Sequence, residues 1–495
     1  MQYLLIFLSL PLTFLLVSRL RRALPSTAIS RRLAAVMSAL VKKLPAPGQP
    51  DVFVTDRVAA HRLLVRAGAG TASIVPSAVL SRRRHYNINS APYGPLWRAI
   101  RRNLTSEIFH PSRLPRYAAA RRRALRALVA DLGGQSASGG VVLAAESLRS
   151  ALFGVMAAMC FGEDVDDGIV RAMDRAMDDL VQCFLGLRVF VTLPAITGLI
   201  FRNRWRKLVE LRRQQEEMYL PLIDARRVRP SGDGEPPAYV DTLVDLRVPD
   251  ELAAAASGGG SRRKRRRQRK LTDGELVGLC SEFLGAGTEP AASALQWIMA
   301  NLVKRPDVQR ALRKEIDAAV GADADEVEEE VLGRLEYLNA VIVEGLRLHP
   351  PVPLVLRQVT AEDDVDLDGR RVPTGTAVHF PLARLARDKK AWTDPHEFRP
   401  ERFLAGGDGE GVSLVVAAGS AGEIRMMPFG AGRRMCPGMG IAMLHLGYFV
   451  ANLVREFEWA EAGGDHAVDL RPHVGFFTVM KRPLRARLTR RHREV

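Results

Sequence analysis

FGAGRRMCPG, Phe429 to Gly438, sets a single cysteine inside a run of glycine and arginine. Gly432 and Gly438 permit tight backbone turns, and such turns bring main-chain N–H groups toward the sulfur of Cys436, lowering its negative charge without protonating it. A sulfur held this way is suited to chemistry rather than to packing. The other three cysteines, Cys160, Cys183 and Cys280, read as small buried hydrophobes. Four cysteines spaced this widely build no disulfide scaffold, and no CxxC pair suggests zinc, so a reducing, cytosol-facing compartment fits the chain.

Outward from that loop, EGLRLHP places Glu344 and Arg347 one helical turn apart, where they can pair. FRPERF supplies Arg402, WRAIR puts Trp97 and Arg101 four residues apart on one helical face, and PVPLVLRQ carries Arg357. CSEFLGAGTEPAASALQW, Cys280 to Trp297, continues a long helical pattern. In order and separation these segments resemble the cytochrome P450 family, and the resemblance covers nearly all of the chain after residue 50.

That resemblance implies a haem-thiolate site on heme b, iron protoporphyrin IX. Cys436 would be the axial ligand to iron, with Phe429, Gly432, Arg434 and Gly438 completing the family signature. A thiolate ligand pushes electron density onto iron and favours O–O cleavage. Arg434, Arg357 and the Trp97–Arg101 pair would meet the haem propionates, whose two charges in a partly buried site call for arginine. Glu344, Arg347 and Arg402 would form the family's structural Glu-Arg-Arg cluster. On the distal helix, Ala286 and Gly287 would leave room for oxygen and substrate, and Glu289 would be the acidic member of a proton relay. Pro290 stands where the family carries threonine. Proline lacks an N–H and crowds the carbonyl four residues earlier, so a kink is expected, with Ser293 or a substrate hydroxyl left to fill the hydroxyl's place.

The expected fold is mainly α with a small, mostly peripheral β region, preceded by one membrane-spanning helix. Residues 1–22 read as the anchor, because YLLIFLSLPLTFLLV, Tyr3 to Val17, approaches the roughly 20 apolar residues that a span needs. Arg19, Arg21 and Arg22 would hold the following side in the cytosol. Residues 23–50 read as a basic linker, RRLAAVMSALVKK, and a proline-rich hinge, LPAPGQP; residues 51–495 form the catalytic domain. Helical periodicity is expected over Arg121–Leu132, Val142–Phe161, Leu276–Val303 and Tyr337–Leu348, with strands at DVFVTD and FFTVM. DVFVTD follows the hinge almost directly, so the small sheet is expected to be short of strands.

An excess of 72 Lys+Arg over 55 Asp+Glu, net +17, attracts nucleic acid, anionic lipid or an acidic protein face. RRKRRRQRK, Arg262 to Lys270, alone suggests nucleic acid, and it reads instead as a solvated loop. The expected partners are NADPH-cytochrome reductase, cytochrome b5 as an accessory donor, membrane lipid and a small lipophilic substrate, and no nucleic acid. Pocket walls are expected at Ala286, Gly287, Val355, Leu356 and Phe476 to Thr478. The resemblance places the chain in the endoplasmic reticulum membrane, single-pass, with its catalytic body on the cytosolic face, as a monooxygenase drawing electrons from NADPH. A haem-thiolate isomerase, dehydratase or hydroperoxide-rearranging enzyme is the alternative that Pro290 favours.

Overall fold

Thr272 starts the helix on which the remaining elements are arranged. Its hydroxyl accepts the Glu275 N–H at 3.4 Å while the Glu275 carboxylate accepts the Thr272 N–H at 2.8 Å, a reciprocal cap that satisfies donors a helix start leaves orphaned. The helix then runs without interruption from Asp273 to Lys304, through Pro290. The computed structural model describes residues 51–66 and 87–491, apart from 188–189, 191–193, 233, 251–267, 322–323, 360–365, 368–369 and 417–421. The expected anchor, basic linker and hinge therefore lie outside the described residues.

The long helices are α1 (Pro95–Asn103), α2 (Ala118–Gly139), α3 (Ala144–Phe161), α4 (Asp167–Leu187), α5 (Arg202–Val228), α6 (Asp273–Lys304), α7 (Pro306–Val320), α8 (Glu336–Leu348) and α9 (Met439–Glu456). α6 packs against α3, α5, α8 and α9, and its last three turns bury almost every side chain, Trp297, Ile298 and Leu302 among them. Small residues set how closely the helices approach. A Cβ on Gly287 would lie 2.2 Å from Met156 Cε of α3, and one on Gly285 would lie 2.9 Å from Met177 Sδ of α4. At the other end Trp297 stacks on His349 with ring centroids 3.9 Å apart. Burial, reinforced by Arg387 and Arg347, pushes the His349 pKa down to about 3, so the imidazole stays neutral in that stack.

Strands are short. β1 (Val52–Phe53) pairs parallel with β8 (Ala377–Pro381), Val52 opposite Val378, and β5 (Leu354–Gln358) pairs antiparallel with the other edge of β8, Leu354 opposite Pro381. β12 (Arg485–Arg490) lies between β2 (Val142–Leu143) and β9 (Phe457–Ala460), and β10 (Pro472–Val474) forms a hairpin with β11 (Thr478–Met480). β3 (Arg247–Pro249) pairs with β4 (Gln268–Lys270), and β6 (Asp366–Leu367) with β7 (Arg370–Arg371). The sheet that includes DVFVTD thus has three strands among the described residues, in line with a short sheet.

Two boundaries differ from the sequence reading. Val142 and Leu143 are strand rather than the first residues of a helix, because β12 offers them a ladder through Arg485 and Ala486. The end of the basic run, Gln268 to Lys270, is strand rather than loop: opposite β3, Lys270 pairs with Asp245 at 2.8 Å, and Arg269 reaches Glu275 at 2.7 Å. Among the described residues, one helix is apolar and long enough to cross a membrane, α3, and it lies mostly in the core.

A Cβ on Gly345 would sit 2.4 Å from Ile298 Cγ1. An alanine in an open helix interior gains about 1 kcal/mol over glycine. Here overpacking reverses the sign, and Gly345→Ala is expected to lower stability by about 1–3 kcal/mol in urea unfolding of the holoprotein; a variant as stable as the parent would show that α6 and α8 can separate freely.

Candidate functional site

The cysteine loop is fixed by its own backbone. Gly430 N–H donates to the Met427 carbonyl at 2.9 Å, Gly432 N–H to Val416 at 2.8 Å, and Cys436 N–H to Phe429 at 2.8 Å, after which α9 begins at Met439. Gly432 has φ +69°, and a Cβ there would fall 2.1 Å from the Leu64 carbonyl oxygen, so conformation and contact both require glycine. Burial pushes the Cys436 thiol up, while the Gly438 N–H and the Arg101 charge act on the sulfur in the opposite direction. Left to itself the site disfavours a thiolate. A bound cation at the sulfur would reverse that balance.

Around the loop stand arginines that meet no carboxylate among the described residues. Arg101 and Arg434 lie on Trp97, with guanidinium carbons 5.2 and 5.1 Å from its ring centroid. Arg101 donates to the Met435 carbonyl at 2.6 Å, Arg434 to the Ala91 carbonyl, and Arg357 to the Leu356 carbonyl at 2.8 Å. Burial and then Arg434 push the Arg357 pKa down to about 10, and the Arg434 Nε is buried without a partner. Two neighbouring half-buried guanidiniums with an orphaned donor and, among the described residues, no anion are the complement of a dianionic ligand, so the residues fit a propionate-bearing haem. Trp97 faces the Ile88 carbonyl instead, donating to it at 3.0 Å.

The other predicted residues fall into two groups. Glu344, Arg347 and Arg402 converge: Arg347 Nε meets Glu344 Oε2 at 2.6 Å and Arg402 Nε meets Oε1 at 3.0 Å, all three fully buried. Sequence reading missed the rest of this cluster. Asp408 accepts from Arg402 at 3.0 Å, and Trp392 lies under Arg347, Arg402 and Arg425 at 5.2, 5.8 and 4.4 Å; neither residue belongs to a recognisable spacing.

On α6, Ala286 is exposed in mid-helix between buried turns, as a residue bordering an internal space would be. A Cβ on Gly287 would run into Met156 of α3, so that side chain fills the space on the side of the missing Cβ. Glu289 Oε1 pairs with Arg149 at 2.9 Å, and the same guanidinium nitrogen pairs with Asp174 at 2.8 Å. Burial raises the pKa of both acids against the pull of Arg149. Ser293 is no free substitute for a hydroxyl at Pro290, since it donates to the Thr478 carbonyl at 2.7 Å, which also accepts Trp297 Nε1 at 3.2 Å. Thr288 is wholly buried with its hydroxyl unpartnered. Arg149 could have been suspected as a lone charge in the otherwise apolar run Leu148–Phe161. Glu282, whose carboxylate accepts the N–H groups of Ile88 and Asn89 at 2.8 Å each, carries the same signal as the lone charge in the run Leu276–Thr288.

A cysteine loop bounded by glycines and ringed by anion-seeking arginines fits a haem-thiolate oxidoreductase. Residues 43–488 match the cytochrome P450 family, and the chain belongs to it, as a monooxygenase. It is 39% identical over 449 residues to cytochrome P450 89A9 of Arabidopsis thaliana, covering 89% of this chain and 84% of that protein. It is 33% identical over 409 residues to cytochrome P450 78A1 of Zea mays, covering 80% and 70%. Tryptamine 5-hydroxylase of Oryza sativa subsp. japonica is 30% identical over 408 residues, covering 80% and 73%. A zebra fish cytochrome P450 solved with progesterone shares the fold, with TM-score 0.70 at 22% identity over 92% of this chain and 99% of that one.

Glu344→Gln would leave Arg347 and Arg402 buried with too little opposing charge. The expected loss is about 3–5 kcal/mol in chemical unfolding, with poor recovery of haem-loaded protein; unchanged stability and full haem content would deny the cluster its structural role.

Proposed function

We propose that this chain inserts one oxygen atom from O₂ into a small lipophilic substrate, with electrons from NADPH delivered by NADPH-cytochrome reductase. The observation that carries this reading is Cys436, presented by a turn that requires glycine and faced by arginines that meet no anion among the described residues. Haem, when bound, supplies oxygen activation at a thiolate-ligated iron. In this reading Cys436 would hold the haem iron through its sulfur, whose negative charge the Gly438 N–H and Arg101 offset. Arg101, Arg357 and Arg434 would receive the propionates, with Arg101 and Arg434 resting on the Trp97 ring. Ala286 leaves space above the site, bounded by apolar Val355, Leu356, Phe476 and Phe477. Glu289 Oε1 is held by Arg149, which leaves Oε2 to carry a proton. The name of one relative, tryptamine 5-hydroxylase, describes oxygen insertion of this kind. Tyr3 to Val17 would anchor the protein in the endoplasmic reticulum membrane, with the body toward cytosolic electron donors.

The reduced carbon monoxide complex should show the red-shifted Soret band that thiolate ligation produces, and Cys436→Ala should abolish it. A variant that keeps the band would remove the assignment of Cys436.

Pro290 favours a second reading. It has no hydroxyl, Ser293 is committed to Thr478, and Thr288 is wholly buried, so no nearby hydroxyl on α6 takes the place of the missing one beside Glu289. A haem-thiolate isomerase, dehydratase or hydroperoxide-rearranging enzyme needs no such water, and NADPH consumption that does not depend on substrate would favour it. On the monooxygenase reading, positioned proton transfer is worth about a hundredfold to ten-thousandfold. NADPH use is then expected to be poorly coupled to product, and Pro290→Thr to raise product formed per NADPH. Peroxide released per NADPH in the two forms checks this, and tight coupling in the parent, unimproved by threonine, would count against it.

A further inference from the structure

Both glycines that bracket Cys436 are met from outside their loop. Gly432 rests against the Leu64 carbonyl, and Gly438 lies against the segment that follows α1. A Cβ on Gly438 would have Phe109 Cε2 at 3.4 Å, Ile441 Cγ2 at 3.5 Å and Cys436 Sγ at 3.9 Å. Ring edge, isoleucine methyl and sulfur therefore border one small gap.

The backbone explains how Phe109 comes to stand there. α1 ends at Asn103 and passes directly into one wide turn, Leu104–Ile108, which the Phe109 N–H closes by donating to the Leu104 carbonyl at 3.0 Å, five residues back. In an unbroken α-helix Phe109 would point about 80° away from Arg101. The extra residue in the wide turn takes up one step of about 100° and brings the two to within about 20° of each other. Arg101 already holds the loop, donating to the Met435 carbonyl at 2.6 Å. One helical face thus grips the loop on both sides of the cysteine, with a guanidinium before it and an aromatic ring after it. The Thr105 and Ser106 hydroxyls steady the irregular turn, donating to the Arg101 and Arg102 carbonyls at 2.9 and 2.8 Å.

The ring is also held from the side of α6. Phe109 stacks on Phe283 with centroids 5.6 Å apart and planes 21° apart, and Phe283 stacks on Tyr239 at 4.7 Å. Phe283 and Tyr239 are buried, and Phe109 is half-buried. A ring with one part accessible and the rest against the loop and α6 is placed as a stopper.

We propose, on the haem-thiolate reading above, that Phe109 is a positioning residue for Cys436: its ring closes the Gly438 side of the sulfur to water and fixes that side of the loop against α6. An apolar shell around a metal ligand controls the access of solvent to it. Water beside a thiolate donates a hydrogen bond to the sulfur and weakens its hold on the metal. The Gly438 N–H and Arg101 offset the sulfur's charge, and Phe109, having no charge, contributes exclusion.

The test follows the red-shifted Soret band of the reduced carbon monoxide complex in the holoenzyme at mild heat. Phe109→Ala should lose the band about tenfold to a hundredfold faster than the parent, the usual cost of removing a group that supports a metal ligand. Phe109→Leu, which refills the space, should keep most of the parent's lifetime. Phe161→Ala opens a comparable cavity on α3, where the ring lies against Tyr219, and should leave the lifetime close to the parent's. A parent-like lifetime in Phe109→Ala would overturn the proposal. So would Phe161→Ala losing the band as fast as Phe109→Ala, because the effect would then be general loosening. Alkylation of Cys436 by iodoacetamide in the same preparations, read by mass spectrometry, separates the proposal from the reading it rests on. A parent without the red-shifted band removes Cys436 as the ligand; faster alkylation in Phe109→Ala would still support closure of the sulfur by the ring, and equal rates would overturn it.

Discussion

Glu344 holds two guanidiniums in a place that water does not reach, and much of the protein's lower half is arranged around that fact. A buried ion pair contributes little net stability over an apolar substitute, but losing one partner is expensive, so its effect is to fix register. Arg347 extends from α8 to the carbonyls of Ala386 and Pro395, and Arg402 reaches Thr393 and Asp408. Arg425 stacks on the same Trp392 and bonds the Ala391 carbonyl. The cluster thereby ties α8, and β5 just after it, to the segment that leads into the cysteine loop. Val355, Leu356 and Arg357 inherit their placement from it.

Arg101, Arg357 and Arg434 gather at the cysteine loop, where burial weakens their hold on protons and, among the described residues, no carboxylate pairs with them. On α6, burial favours the protonated form of Glu282 and Glu289, and Glu289 meets Arg149. The arginines at the loop fit an anionic ligand, and the overall +17 says nothing about where they gather, because the grouping arises in three dimensions.

Motif residues were legible because each motif is a local geometry. Gly432 and Cys436 belong to one turn, Glu344 and Arg347 to one helix face, and Trp97 and Arg101 to another. Arg402 was legible only through family resemblance, since nothing in FRPERF points toward α8. The distal network was largely hidden. Arg149 and Asp174 come from different helices, and only packing brings them to Glu289. Gly287 shows a related limit: a sequence shows that glycine leaves room but not which neighbour lies on the side of the missing Cβ, where Met156 stands. Strand β2 escaped notice because Val142 and Leu143 fit a helical period equally well, and the partner that settles them, β12, lies at the far end of the chain.

Gly432 rests against the Leu64 carbonyl, a contact between one of the earliest described segments and one of the last. The same early segment is held at Arg57, whose carbonyl accepts the Ile424 N–H at 3.1 Å and whose side chain pairs with Asp388 and Glu423. Contacts so distant in sequence form late, after the intervening chain exists and its loop entropy has been overcome. On the ribosome, residues 57–66 emerge long before their partners and must wait for nearly the whole protein to follow. The seat for the metal is therefore finished only when synthesis is almost complete, so cofactor capture in this protein belongs to the end of its assembly rather than to its nucleation.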